Sequence, residues 1–254
     1  MGETTVGDAH RPDRIDAGRY DLPLRPRGLV DLRGQARGPA VLSYPDGAVV
    51  VVSGLPGSGK STLLRRWSRS ATVIDPRTAH VEYQDRMPEW LPYAVYRPWV
   101  RLQHLRRLRA RVRGGGGPVL VHDCGSRPWL RRWLARTADR QHREVHLILL
   151  AVDPVVALEG QDQRGRRVPG KVFDRHRRKL AELLSALSVR GAEVAPEAAS
   201  IVLLDRTLRE HVLALDFGPT HLAEPPAAEL PAIELPAPAH PIAERTPAAP
   251  EPAP

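Results

Sequence analysis

Nine consecutive residues, Gly54-Leu55-Pro56-Gly57-Ser58-Gly59-Lys60-Ser61-Thr62, have the types and spacing needed to hold a polyphosphate. They satisfy the pattern G-x-x-x-x-G-K-[ST] from Gly54 to Ser61. Each position has a chemical reason. Glycines let the backbone curl so that successive N–H groups point inward at a β-phosphate. The Lys60 ammonium reaches β- and γ-phosphate oxygens, and the Ser61 hydroxyl is a ligand for Mg²⁺. A helix starting here adds the positive end of its dipole to the anion site. The expected ligands are therefore a purine nucleoside triphosphate, ATP, and Mg²⁺.

Such a loop works only between a strand and a helix. Ala48 to Val52 is a wholly apolar run that leads into it, as a buried parallel strand should, and Ser61 to Ser70 is compatible with the following helix. Val41 to Tyr44 and Ala48 to Val52 flank Pro45-Asp46-Gly47, which reads as a hairpin turn. Thr72-Val73-Ile74 is a short second strand ending at Asp75. A basic helix is expected over Arg97–Arg113, with Val100 or Leu102, Leu105, Leu108 and Val112 as its apolar stripe, broken by Gly114 to Gly117. Pro118 to Asp123 is a third strand, Trp129 to Gln141 a helix, Val145 to Val152 a fourth strand and Ile201 to Leu204 a fifth. An arginine-rich loop near Arg164 to Arg167 and a helix from about Val172 to Leu187 separate the last two.

Strands alternating with helices predict an α/β, three-layer α/β/α fold around a five-stranded, mainly parallel sheet. The domain should span residues 41–218. Residues 1–40 read as a flexible or irregular N-terminal segment. The stretch 219–254, dominated by Pro and Ala with scattered Glu, reads as a disordered tail that could tether a partner.

Composition narrows the setting. The single cysteine, Cys124, excludes an internal disulfide framework and a cysteine-only zinc site, and by itself it reads as packing. No apolar run approaches the roughly 20 residues that span a bilayer, and the N-terminus lacks an apolar signal core. A cytoplasmic protein without membrane partners is expected. The net charge of +9 is almost wholly arginine, since lysine occurs only at 60, 171 and 179, and the abundance of Arg, Ala, Pro and Gly suits a G+C-rich genome. Charge alone therefore does not name a polyanionic partner.

With the glycine-rich loop, two strand-end aspartates and an arginine loop in this order, the chain resembles P-loop kinases of the polynucleotide-kinase, zeta-toxin and gluconate-kinase type. It would be an AAA-type ATP-binding protein of the P-loop NTPase superfamily, and the resemblance covers about residues 46–190. The resemblance implies that Asp75, followed by Arg77, takes the proton from an attacking hydroxyl; the local alternative is a helix cap before Pro76. It implies that Asp123 holds a water of the Mg²⁺ shell or contacts substrate, with Arg127, Arg131 and Arg132 downstream. His122 reads either as a ligand contact or as a hydrogen-bonded structural residue. Gln161 to Pro169 resembles the arginine lid of these kinases, with Arg164 and Arg167 over the triphosphate and Arg166 the alternative in register. Residues 80–117 occupy the place of their substrate-recognition helices. There Trp90, Tyr93, Tyr96 and Trp99 are candidates for stacking on a base or sugar, or for packing.

The expected activity is transfer of the γ-phosphoryl group of ATP to a hydroxyl of a small-molecule or nucleic-acid acceptor. A toxin of the zeta type, phosphorylating a nucleotide sugar, would share the same residues. An ATPase or nucleotide-operated switch is the alternative from another class; it would need Gln161 or Gln163 to position water and would have no use for Asp75 as a base.

Overall fold

Apolar runs scattered along the sequence become neighbours in one sheet. The computed structural model describes residues 22–88, 90–123, 128–165 and 167–218. Its strands are β1 (Gly28–Asp31), β2 (Val41–Pro45), β3 (Val49–Gly54), β4 (Thr72–Ile74), β5 (Val119–His122), β6 (Val145–Leu150), β7 (Ser200–Leu204) and β8 (Ala214–Gly218). Its α-helices are α1 (Lys60–Trp67), α2 (Pro76–Gln84), α3 (Tyr93–Arg113), α4 (Pro128–Asp139), α5 (Pro154–Asp162), α6 (Gly170–Arg190) and α7 (Arg206–His211).

Six strands form the main sheet in the order β1-β7-β6-β3-β5-β4, and every pairing is parallel. Each residue of β3, β5, β6 and β7 is buried, because helices cover both faces. Side chains alternate between the two faces of a strand, so Val49 and Val51 enter one core with Leu108, Leu134, Leu147 and Leu187. Val50 and Val52 enter the other, with Leu63, Trp67, Ile148 and Leu208. The three-layer α/β/α class follows directly.

Two expectations are corrected. The sheet has six strands rather than five, because Gly28–Asp31, inside the stretch expected to be irregular, pairs with β7 from Gly28↔Ser200 to Asp31↔Leu203. The hairpin does not form. The turn itself is present, with Ala48 N–H donating to Pro45 O at 3.0 Å and Gly47 at φ 79°. However, β3 lies in the middle of the sheet with both edges taken by β5 and β6, so β2 has no edge to join. It pairs instead with β8, in parallel from Val41↔Ala214, as a separate two-stranded sheet.

Three helices start at an aspartate following a strand. Asp75 Oδ1 accepts from the Arg77 N–H, Asp153 Oδ1 from the Val155 N–H, and Asp205 Oδ1 from the Leu208 N–H. Proline follows the first two as the first helical residue, where its missing donor does no harm. These caps follow the carboxyl ends of β4, β6 and β7, on the edge of the sheet that carries the glycine-rich loop. Among the described residues no helix is long and apolar enough to cross a membrane.

Candidate functional site

Between β3 and α1 the backbone follows a path open to glycine. Gly54, Gly57 and Gly59 have φ of 153°, 90° and 94°. A Cβ on Gly57 would sit 1.9 Å from Ala157 O, and one on Gly160 of α5 would sit 2.5 Å from Gly57 O. The loop and α5 thus touch backbone to backbone. Gln161 locks this contact: its buried side chain donates from Nε2 to Pro56 O at 3.1 Å and accepts at Oε1 from the Val168 N–H at 2.8 Å. One amide joins the glycine-rich loop to the far arm of the arginine loop.

Lys60 is buried, and its Nζ donates to Gly54 O at 2.9 Å and Leu55 O at 2.7 Å. Ser58 Oγ is buried without a partner, and Ser58 O accepts from Arg209 Nη1 at 2.8 Å. A cation held on its own loop, an unpartnered hydroxyl and a glycine-lined concavity fit a phosphate group. Ser61 and Thr62 lie in the first turn of α1.

A cavity of about 440 Å³ opens beside the loop, lined among others by Gly57, Gly59, Arg66, Arg164, Arg206 and Arg209. Arg164 Nη2 donates to Thr62 Oγ1 at 3.3 Å, so one of the two arginines expected in a lid meets the loop. Arg167 does not: it pairs with Asp162 and is 75% exposed. Arg166, Arg127 and Cys124 lie outside the described residues. Arg206 and Arg209 on α7 escaped the reading of the sequence. The signal that could have found them is their place just past the end of an apolar strand, where ligands of open parallel sheets bind.

On the other side of β3, the ends of β4 and β5 bring Asp75 and His122 together, with His122 Nδ1 3.0 Å from Asp75 Oδ1. Asp75 therefore caps α2 and lies against the His122 imidazole at once, both through Oδ1, the second contact being an ion pair when that ring is protonated; among the described residues no contact engages Oδ2. Burial pushes the Asp75 carboxyl up, but the hydrogen bond and charge of His122, helped by the Arg77 N–H, outweigh it and leave the group below its ordinary value. His104 on α3 feels the same pair: burial pushes its imidazole down, with Asp75 opposing and His122 reinforcing. Asp123, at the end of β5, sits next to β3, its N–H donating to Val52 O at 3.1 Å. Arg131 is turned away toward Glu197, 2.9 Å from it. Among the described residues no cluster of three or more His, Cys, Asp or Glu could hold a metal ion.

A family model described as an AAA domain matches residues 49–184, more than half of the chain. No curated protein matches it. Among solved structures, the tunicamycin resistance protein of Deinococcus radiodurans is 21% identical, with 54% of this chain and 80% of that chain covered and a TM-score of 0.39. A gluconokinase from Sinorhizobium meliloti is 17% identical, with 67% and 91% covered and a TM-score of 0.44. The PezAT chromosomal toxin-antitoxin system of Streptococcus pneumoniae gives 16% identity, 69% and 72% coverage and a TM-score of 0.48.

Proposed function

The chain belongs to the AAA-domain family of P-loop proteins, and from that premise we propose that it transfers the γ-phosphoryl group of ATP to an acceptor hydroxyl. The catalytic unit would span residues 41–218, with β1 added at its edge, in the cytoplasm where ATP is supplied. The observation that carries the reading is the Asp75–His122 pair, on the same sheet edge as the phosphate loop. A nucleotide switch needs no carboxylate held in place there.

The backbone N–H groups of Gly57 to Ser61 and the Lys60 ammonium would bind the β- and γ-phosphates, Lys60 exchanging its two carbonyl partners for phosphate oxygens. Ser61 and Asp123 would hold Mg²⁺, directly or through water, and the ion would supply positive charge to offset that of the phosphates. Arg206 and Arg209 would face the remainder of the nucleotide in the cavity. His122 and the Arg77 N–H fix one oxygen of Asp75. That leaves Oδ2 to take the acceptor's proton as its oxygen bonds to the γ-phosphorus and the bond to the β-phosphate oxygen breaks, releasing ADP. Arg164 would stabilise the charge on the transferring group. Arg167 would serve as a lid residue only after leaving Asp162.

The ATPase or switch reading loses one of its supports. Both ends of the Gln161 amide are engaged, so only Gln163, beside the cavity, is left to orient water.

The test is incubation with γ-labelled ATP, Mg²⁺ and fractionated metabolite and oligonucleotide pools, with Lys60→Ala and Asp75→Asn alongside. Label in one acceptor, lost in both variants, is the expected result. Label released only as free phosphate, undiminished in Asp75→Asn, would overturn the transferase reading in favour of an ATPase.

A further inference from the structure

Helix α3 holds seven arginines and no acidic residue in 21 positions. Its inner side is accounted for: Tyr96, Val100, Leu108 and Val112 are buried, and Arg107 pairs with Glu82. The outer side is not. Val95, Trp99, Leu102, Arg106, Arg109 and Arg113 recur at alternating intervals of four and three, which places them on one stripe along the helix. All six face solvent, Val95 at 60%, Trp99 at 62% and Leu102 at 47% exposure. Among the described residues, no ion pair involves Arg106, Arg109 or Arg113. The first half of the stripe is thus apolar with a bare indole, and the second half is an unneutralised row of guanidinium groups.

The stripe is also held rigidly. Arg143 donates from Nη1 to Val112 O at 2.8 Å and from Nη2 to Gly117 O at 2.7 Å, pinning the end of the helix. Charge is concentrated in the folded part as a whole: residues 22–218 hold 34 of the 38 Lys and Arg but 19 of the 29 Asp and Glu, a net of +15 against +9 for the chain.

We propose that the outward stripe of α3 is a docking surface for single-stranded nucleic acid. A strand offers flat bases and a repeating anion together. Trp99, with Val95 and Leu102 beside it, is a stacking platform. Arg106, Arg109 and Arg113 follow at steps of about 5 Å along the axis and take successive phosphates. An anionic lipid surface fits less well, because it calls for an apolar face along the whole helix, and here that face stops at Leu102. His104, which feels Asp75, lies on the opposite side of α3. The stripe is therefore distinct from the phosphate cleft, and docking does not depend on phosphoryl transfer.

The experiment is fluorescence anisotropy of a labelled single-stranded oligonucleotide of about 20 nucleotides, long enough to overspan a helix of about 30 Å. It is run without nucleotide, in a salt series, beside vesicles containing phosphatidylserine. Three phosphate contacts give a slope of log K on log salt of about −2. Changing Arg106, Arg109 and Arg113 together to Glu should weaken binding at least about tenfold and flatten the slope, and Trp99→Ala should weaken it about tenfold with the slope kept. Thermal melts of both variants check that the helix is intact. Unchanged affinity in both folded variants, no binding of the oligonucleotide, or binding of the vesicles alone would each overturn the proposal.

Discussion

His122 Nδ1 lies 3.0 Å from Asp75 Oδ1, across the ends of two adjacent strands. The contact sets both the direction and the ionisation of the carboxylate. Asp75→Asn should cut phosphoryl transfer by about 10²- to 10⁴-fold and leave nucleotide affinity within about threefold. A carboxylate base works above its folded pKa and fails as pH falls through it. Because that value lies below the ordinary one for an aspartate, the acid limb of kcat/KM should lie at lower pH than an ordinary aspartate base would give. In His122→Ala burial is no longer outweighed, so the limb should move toward neutrality. A limb that stays in place, measured as a pH–rate profile, would dissociate the histidine from the base.

The touch between Gly57 and Gly160 allows no side chain. Gly57→Ala must displace Ala157 O and also strain a φ of 90°. The expected loss is about 1–3 kcal/mol, or roughly 3–10 °C in Tm, together with nucleotide affinity. Gly165→Ala, at φ 59° with nothing within 4 Å, is the comparison: it carries the strain of the left-handed backbone but no clash, and should lose less. Equal melting temperatures for the two variants would mean that the loop and α5 are not in register as described.

The two arginines proposed for a lid should behave differently. Arg164 meets Thr62, so Arg164→Ala is expected to lower kcat about 10²-fold. Arg167 is engaged with Asp162 on the surface, so Arg167→Ala should change kcat by less than about threefold. Steady-state kinetics with saturating ATP decide it. A reversed order would mean that closure around nucleotide releases Arg167 from Asp162.

Away from the cleft, His146 on β6 bonds Ser200 through Nδ1 at 2.9 Å beneath the Tyr44 ring. Burial pushes its imidazole down to about 4, with Glu144 opposing. The unfolded chain then binds the proton first, so stability should be full above about pH 6.5 and fall as pH drops toward 4. The loss is up to about 3 kcal/mol. Urea titrations at several pH values should show that dependence reduced in His146→Gln, and an equal dependence in both proteins would rule out this histidine as its source.

What could be read in advance was what short-range chemistry decides. The loop from Gly54 to Thr62 follows from local backbone and anion requirements, and Thr72–Ile74 has the bounds read from its apolar residues. The Pro45-Asp46-Gly47 turn was also visible, but its consequence was not, because the pairing of β2 depends on which edges of β3 are already occupied. Strand β1 is four residues whose one sheet partner among the described residues, β7, lies about 170 positions later. Helix α5 has Val155, Val156, Ala157 and Leu158 in an unbroken row, so periodicity gave it no helical signature. For Asp75, the cap and the base competed as readings of one residue, whereas a carboxylate can offer one oxygen to each.

The strand pairings set a timetable for the growing chain. β1 and β2 leave the ribosome early, yet the strands they pair with, β7 and β8, are the last two described. Contacts of such wide separation form slowly. Until residue 218 has emerged, β2 has beside it only the single bridge from Leu24 to Leu42 among the described residues, and the nascent chain carries an open edge suited to wrong pairing. Slow translation past residue 190 would prolong that exposure, and early termination before Ala214 would make it permanent.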